Sequence, residues 1–119
     1  MATFEELRSI AMALPQTTQV EGDPLFLVAG KQFVWTWRER VHPKKTKVPR
    51  PEVLAVRVPD QQDKAALISS DPTVFFTESH YDGYPIVLVR LPQIGLPALT
   101  EVVQDSWRCV APPELTGTA

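Results

Sequence analysis

The chain has 119 residues and 13.3 kDa, one domain's length, enough to bury roughly two-thirds of its unfolded surface without a metal or disulfide staple. Hydrophobic residues make up 44% and charged residues 22%, the balance of a globular rather than a disordered chain, and the net charge is −2. No apolar run approaches the roughly 18 residues of a membrane span, no basic-then-apolar leader opens the chain, and a single cysteine, Cys109, excludes an internal disulfide framework, so a cytoplasmic domain without a cofactor is expected.

The first expected element is a helix. Thr3 caps it and Glu6, three residues on, completes a capping box. Phe4, Leu7, Ala11 and Leu14 share one face, and Pro15 stops the run. Residues 25–29 and 32–37 read as a hairpin turning at Gly30-Lys31. In its second strand Phe33, Trp35 and Trp37 alternate with Gln32, Val34, Thr36 and Arg38, which predicts one aromatic face turned to the core. Residues 38–51 then read as a basic connection punctuated by prolines. Residues 53–58 resume strand alternation, and Asp60 caps a short helix carrying Ala66 and Leu67 that ends before Asp71-Pro72. Two more strands are expected at 73–78 and 85–91, around His80-Tyr81-Asp82-Gly83-Tyr84. The last helix spans 96–110, with Leu96, Leu99, Val103, Trp107 and Val110 on its apolar face.

The order α-β-β-β-α-β-β-α predicts an α+β two-layer sandwich: a mostly antiparallel five-stranded sheet with helices on one face. Residues 1–111 form the single expected domain and 112–119 a loose C-terminal tail. Leu7, Leu14, Phe33, Trp35, Val56, Val89, Leu99 and Trp107 are the expected core.

Several phrases resemble the MmcQ/YjbR family of small bacterial proteins. They are Phe4-Glu5-Glu6-Leu7-Arg8 with Ala13-Leu14-Pro15, and the hairpin around Gly30-Lys31. They continue with His80-Tyr81-Asp82-Gly83-Tyr84-Pro85 leading into Val87-Leu88-Val89-Arg90-Leu91, and close with Asp105-Ser106-Trp107-Arg108. The resemblance covers nearly the whole chain. It implies a fold like that of secretion chaperones and the label of a DNA-binding protein. Many relatives carry an asparagine and a tryptophan after the histidine, where this chain has Tyr81-Asp82-Gly83-Tyr84-Pro85.

Charge supplies the main functional signal. Arg38, Arg40, Lys44, Lys45, Lys47 and Arg50 stand against one acid, Glu39, so this stretch nets +5 and leaves −7 for the rest of a −2 chain. Clustered Lys and Arg neutralise phosphates and release counterions, the source of sequence-independent nucleic-acid affinity. Arg57 and Arg90, at polar strand positions, extend the patch if helices cover the opposite face, and an exposed Trp35 or Trp37 stacks on a base. The competing reading is a solvated loop with core tryptophans, and a pI near 5.6 lies below the range of a dedicated nucleic-acid binder.

His80, Tyr81, Asp82, Tyr84 and Glu78 form a second candidate, because a carboxylate can fix a histidine tautomer. The only other histidine is His42, and neither His-x-x-x-His nor Cys-x-x-Cys spacing occurs, so turn chemistry at Asp82-Gly83 is the simpler reading. Cys109 is expected to be a small buried apolar residue. No phosphate loop or catalytic triad order is present. The expectation is therefore a noncatalytic domain that binds DNA or another nucleic acid through the basic stretch. The alternative is a module that binds a protein partner.

Overall fold

The computed structural model describes residues 2–20, 25–41 and 46–116. Helix α1 (Phe4–Met12) opens with the expected capping box: the Glu6 amide donates to Thr3 Oγ1 at 3.2 Å, and the Thr3 amide donates to Glu6 Oε1 at 2.9 Å. The helix stops short of Leu14, and Gln16 turns the chain with φ 58° into a strand the sequence did not announce, β1 (Thr17–Gln19). It pairs antiparallel with β2 (Leu25–Val28). Ala29 and Gly30 then carry φ of 51° and 80°, the two positive values of a type I′ hairpin turn. The turn therefore sits one residue before the expected Gly30-Lys31, and Lys31 opens β3 (Lys31–Val41).

The stretch 38–51 is not a plain connection. It is the outer part of a long hairpin between β3 and β4 (Thr46–Arg57), with Trp37 opposite Arg50, Arg38 opposite Pro49, Arg40 opposite Lys47 and Val41 opposite Thr46. The prolines hid it. Pro49 and Pro51 lack an amide to donate and read as strand breakers, but the pairing accommodates them beside a register shift that leaves residues 51–53 without partners on β3.

Asp60 caps α2 (Gln61–Ser70), accepting from the Asp63 amide at 2.8 Å. After β5 (Phe75–Phe76), a 3-10 turn (Ser79–Tyr81) and β6 (Ile86–Arg90) comes α3 (Leu96–Val110), bounded as the sequence predicts. A last turn, α4 (Pro113–Thr116), carries Leu115 against the core, so the segment expected to be loose begins with a packed turn. Among the described residues the sheet has six strands, all antiparallel, in the order β1-β2-β3-β4-β6-β5. The α+β class holds, with one strand more than expected.

The main core lies between this sheet and the helices. Leu54, Val56 and Val58 of β4 and its end, with Val87 and Val89 of β6, meet Leu7 and Ala11 of α1 and Leu99, Val103 and Trp107 of α3. Trp107 is fixed by its indole N–H donating to the Pro15 carbonyl at 3.0 Å, and the buried Ser106 hydroxyl donates to the Phe33 carbonyl at 2.9 Å. Of the expected core, Leu14 is half-buried at its margin. Trp35 is elsewhere.

The reason is a β-bulge. Leu27 pairs with Gln32 and Phe26 with Val34, which leaves Phe33 as an extra residue on β3. An inserted residue shifts the alternation by one, so Phe33 and Val34 both join the helix-side core while Trp35 and Trp37 fall on the other face. That face has its own small cluster, Val53, Ala55, Ile86 and Leu88, under half-buried Trp35, Trp37, Phe76 and Tyr81. The sheet is apolar on both sides.

Candidate nucleic-acid interface

Strand register assembles the helix-free face. Trp35 pairs with Ala55, Ala55 with Leu88 and Leu88 with Phe76, so these four residues form one row across four adjacent strands. Three strand spacings separate the two aromatic ends of the row, roughly 14 Å of backbone distance. Trp37 reaches back over the row to meet Phe76 edge-on, with ring centroids 6.0 Å apart and planes at 80°. These rings cover Leu88 and Ala55, both fully buried.

Both strand arginines named from the sequence lie along this face. The Arg57 guanidinium stands 5.7 Å from the Trp35 ring centroid, and its Nε donates to the Gln32 carbonyl at 3.3 Å. The Arg90 guanidinium stands 4.0 Å from the Phe76 centroid, and one of its terminal nitrogens donates to the carbonyls of Pro72 and Thr73, each at 3.3 Å. A cation held over a ring is attracted by the ring's negative face, by about 0.5–2 kcal/mol depending on desolvation. The face therefore offers flat rings and fixed positive charge together.

The strands that hold the basic stretch, β3 and β4, run on from this face. Arg38, Arg40, Lys47 and Arg50 have the backbone positions given above; Lys44 and Lys45, with His42, lie outside the described residues. Arg40 and Lys47 occupy directly opposed backbone positions in this register.

Of the second candidate group, Tyr81 packs against the apolar cluster of this face. His80 lies in the 3-10 turn between β5 and β6, and among the described residues no group of three or more His, Cys, Asp or Glu is placed to hold a metal ion. The neighbouring segment is instead organised by a residue the sequence reading passed over. Lys64, on α2, is buried, and its ammonium donates to the carbonyls of Tyr81 at 2.8 Å and Tyr84 at 3.0 Å. Burial pushes its pKa below 10.5, and nearby Asp82 pulls against that shift. A lysine among polar residues in a short helix carries no sequence signal of burial. Here it ties α2 to the loop that places Tyr81 on the face.

Cys109 corrects a second expectation: it is exposed, because the buried stripe of α3 runs through Leu99, Val102, Val103, Ser106 and Trp107 and leaves position 109 at its flank. Its thiol donates to the Ser106 carbonyl at 3.2 Å, and partial burial of the sulfur raises its pKa against the opposing pull of Arg57. A groove of about 930 Å³ opens on the opposite side of the molecule between α2 and α3. Val58, Leu67, Phe75 and Val102 give it apolar walls, and Asp63, Glu101 and Asp105 stand among its lining residues.

A family model described as YjbR matches residues 12–109. Uncharacterised proteins of Mycobacterium tuberculosis and Mycobacterium bovis are each 35% identical to the chain over 121 residues, which is 97% of this chain and 93% of the relative. A Deinococcus radiodurans protein with a DUF419 domain, known from its crystal structure, superposes with a TM-score of 0.65 over 90% of this chain and 77% of its own. Its sequence identity is 20%, so this likeness is one of fold. The family model takes in most of the elements described above, and the chain belongs to the YjbR family.

Proposed function

We propose that this protein is a noncatalytic nucleic-acid-binding domain that contacts phosphates through the basic β3–β4 hairpin, with Arg57 and Arg90 extending the contact onto the helix-free sheet face. The observation that supports this most is the juxtaposition of two features the sequence keeps apart. The strands that hold Arg38, Arg40, Lys47 and Arg50 run on into the face where Arg57 and Arg90 stand over aromatic rings. Clustered Lys and Arg attract phosphate oxygens and release counterions from a nucleic-acid backbone. Binding of this kind is sequence-tolerant, since phosphate contacts position a nucleic acid without reading it.

Retention on immobilised DNA tests the proposal. The wild type is expected to elute later in a salt gradient than a variant neutralised by Lys44→Gln, Lys45→Gln and Lys47→Gln, with both proteins folded. Identical elution of the two would overturn it.

One observation favours a second reading, a protein partner. The groove between α2 and α3 has apolar walls and lies away from the basic hairpin. A specific protein retained by the wild type regardless of salt, with no nucleic acid bound, would favour that reading.

A further inference from the structure

The preceding proposal accounts for the phosphates but leaves the aromatic half of the face without a use. A duplex keeps its bases stacked inside, so Trp35, Trp37 and Phe76 have nothing to meet on it. We infer that the helix-free face takes single-stranded nucleic acid, with unstacked bases lying on Trp35, Trp37 and the Arg90–Phe76 pair. This rests on the nucleic-acid reading and narrows it.

Three observations carry the inference. First, the rings are large, half-buried and on a sheet face that no helix covers among the described residues. Their own edge-on contact buries the aliphatic cluster beneath, so the face holds together without a second protein layer. Second, the guanidiniums of Arg57 and Arg90 are already held over Trp35 and Phe76 and tied to backbone carbonyls, so little ordering is left to do on binding. Bases stack on guanidinium planes as well as on rings. Third, the row from Trp35 to Phe76 spans four strands, a width on which sheet-borne aromatics hold about two or three bases. Flat apolar surface edged by cations matches a ligand with flat apolar bases on an anionic backbone.

The third tryptophan makes the test direct. Trp107 is buried on the helix side with its indole N–H bonded to Pro15, so it cannot stack on a ligand and serves as an internal reference for Trp35 and Trp37. The full chain is titrated with a 20-nucleotide oligothymidylate and with a 20-base-pair duplex at matched salt, following ligand anisotropy and intrinsic tryptophan emission. The expected result is tighter binding of the single strand, by roughly tenfold or more per stacked base, with partial quenching that leaves the Trp107 emission. Trp37→Leu is expected to weaken the single strand by that factor while changing duplex binding little, and Trp37→Phe, which keeps an aromatic ring, to retain most of the affinity. Quenching of the wild type decides the question even if Trp37→Leu fails to fold. Duplex binding as tight as single-strand binding, or unchanged emission, would overturn the inference and leave phosphate binding standing. Binding of neither would overturn both.

Discussion

Thr36 lies between Trp35 and Trp37 and is 5% exposed, yet its hydroxyl has no hydrogen-bond partner among the described residues. An unpaired buried hydroxyl costs roughly 1–3 kcal/mol, and valine has nearly the same shape without it. Thr36→Val is therefore expected to raise stability by about 1 kcal/mol in a urea melt; a loss would mean that the hydroxyl is bonded in solution. Lys64 is the opposite case, a buried charge whose bonds are made. Lys64→Met removes two of them and leaves the Tyr81 and Tyr84 carbonyls to water, for an expected loss of about 1–3 kcal/mol near neutral pH. The pH dependence has a definite sign. Because burial lowers the Lys64 pKa below 10.5, the folded chain gives up this proton before the unfolded chain does. In that alkaline window the unfolded state binds more protons, so stability gains from Lys64 as pH rises through the folded value. Chemical denaturation of wild type and Lys64→Met from neutral to alkaline pH should show their difference widening there. A difference that shrinks in that window would contradict the assigned shift.

At the scale of elements, local chemistry was legible and long-range pairing was not. The Thr3–Glu6 capping box, the Asp60 cap and the full extent of α3 follow from side chains that reach three or four residues along the chain. The bulge at Phe33 has no such signature, since it exists only relative to β2, and a strict alternation through Phe33, Trp35 and Trp37 hides it. One extra residue thus moved two tryptophans from the expected core to the candidate interface. Likewise the prolines in β4 disguised a strand as a loop, though the charge of that stretch was plain. Trp107 tests the part that was legible. It is 6% exposed at the centre of the helix layer, and Trp107→Ala is expected to cost roughly 3–5 kcal/mol. A thermal melt shifted by less than the equivalent of about half a kcal/mol would remove it from the core.

For the whole molecule, the decisive property is that the sheet is apolar on both faces and helices pack against only one of them among the described residues. Helices cover one side, where Asp63, Glu101 and the paired Asp105 and Arg108 line the groove, and the other side carries the aromatic row, Arg57 and Arg90. With +5 on residues 38–50 and −7 elsewhere, attraction to a polyanion is local and opposed at longer range. The binding proposed is expected to be weak and steeply dependent on salt, because screening acts within about 10 Å at 0.1 M. The most direct measurement is a titration of labelled duplex over a series of salt concentrations, on the wild type and on the variant neutralised at Lys44, Lys45 and Lys47. If three to six charges of the basic stretch neutralise phosphates, log K falls against log salt with a slope of about −3 to −5. The triple variant should be shallower by up to about 3, one for each lost phosphate contact, and remain folded. No binding at about 50 mM salt, or a slope unchanged by the three substitutions, would contradict the account.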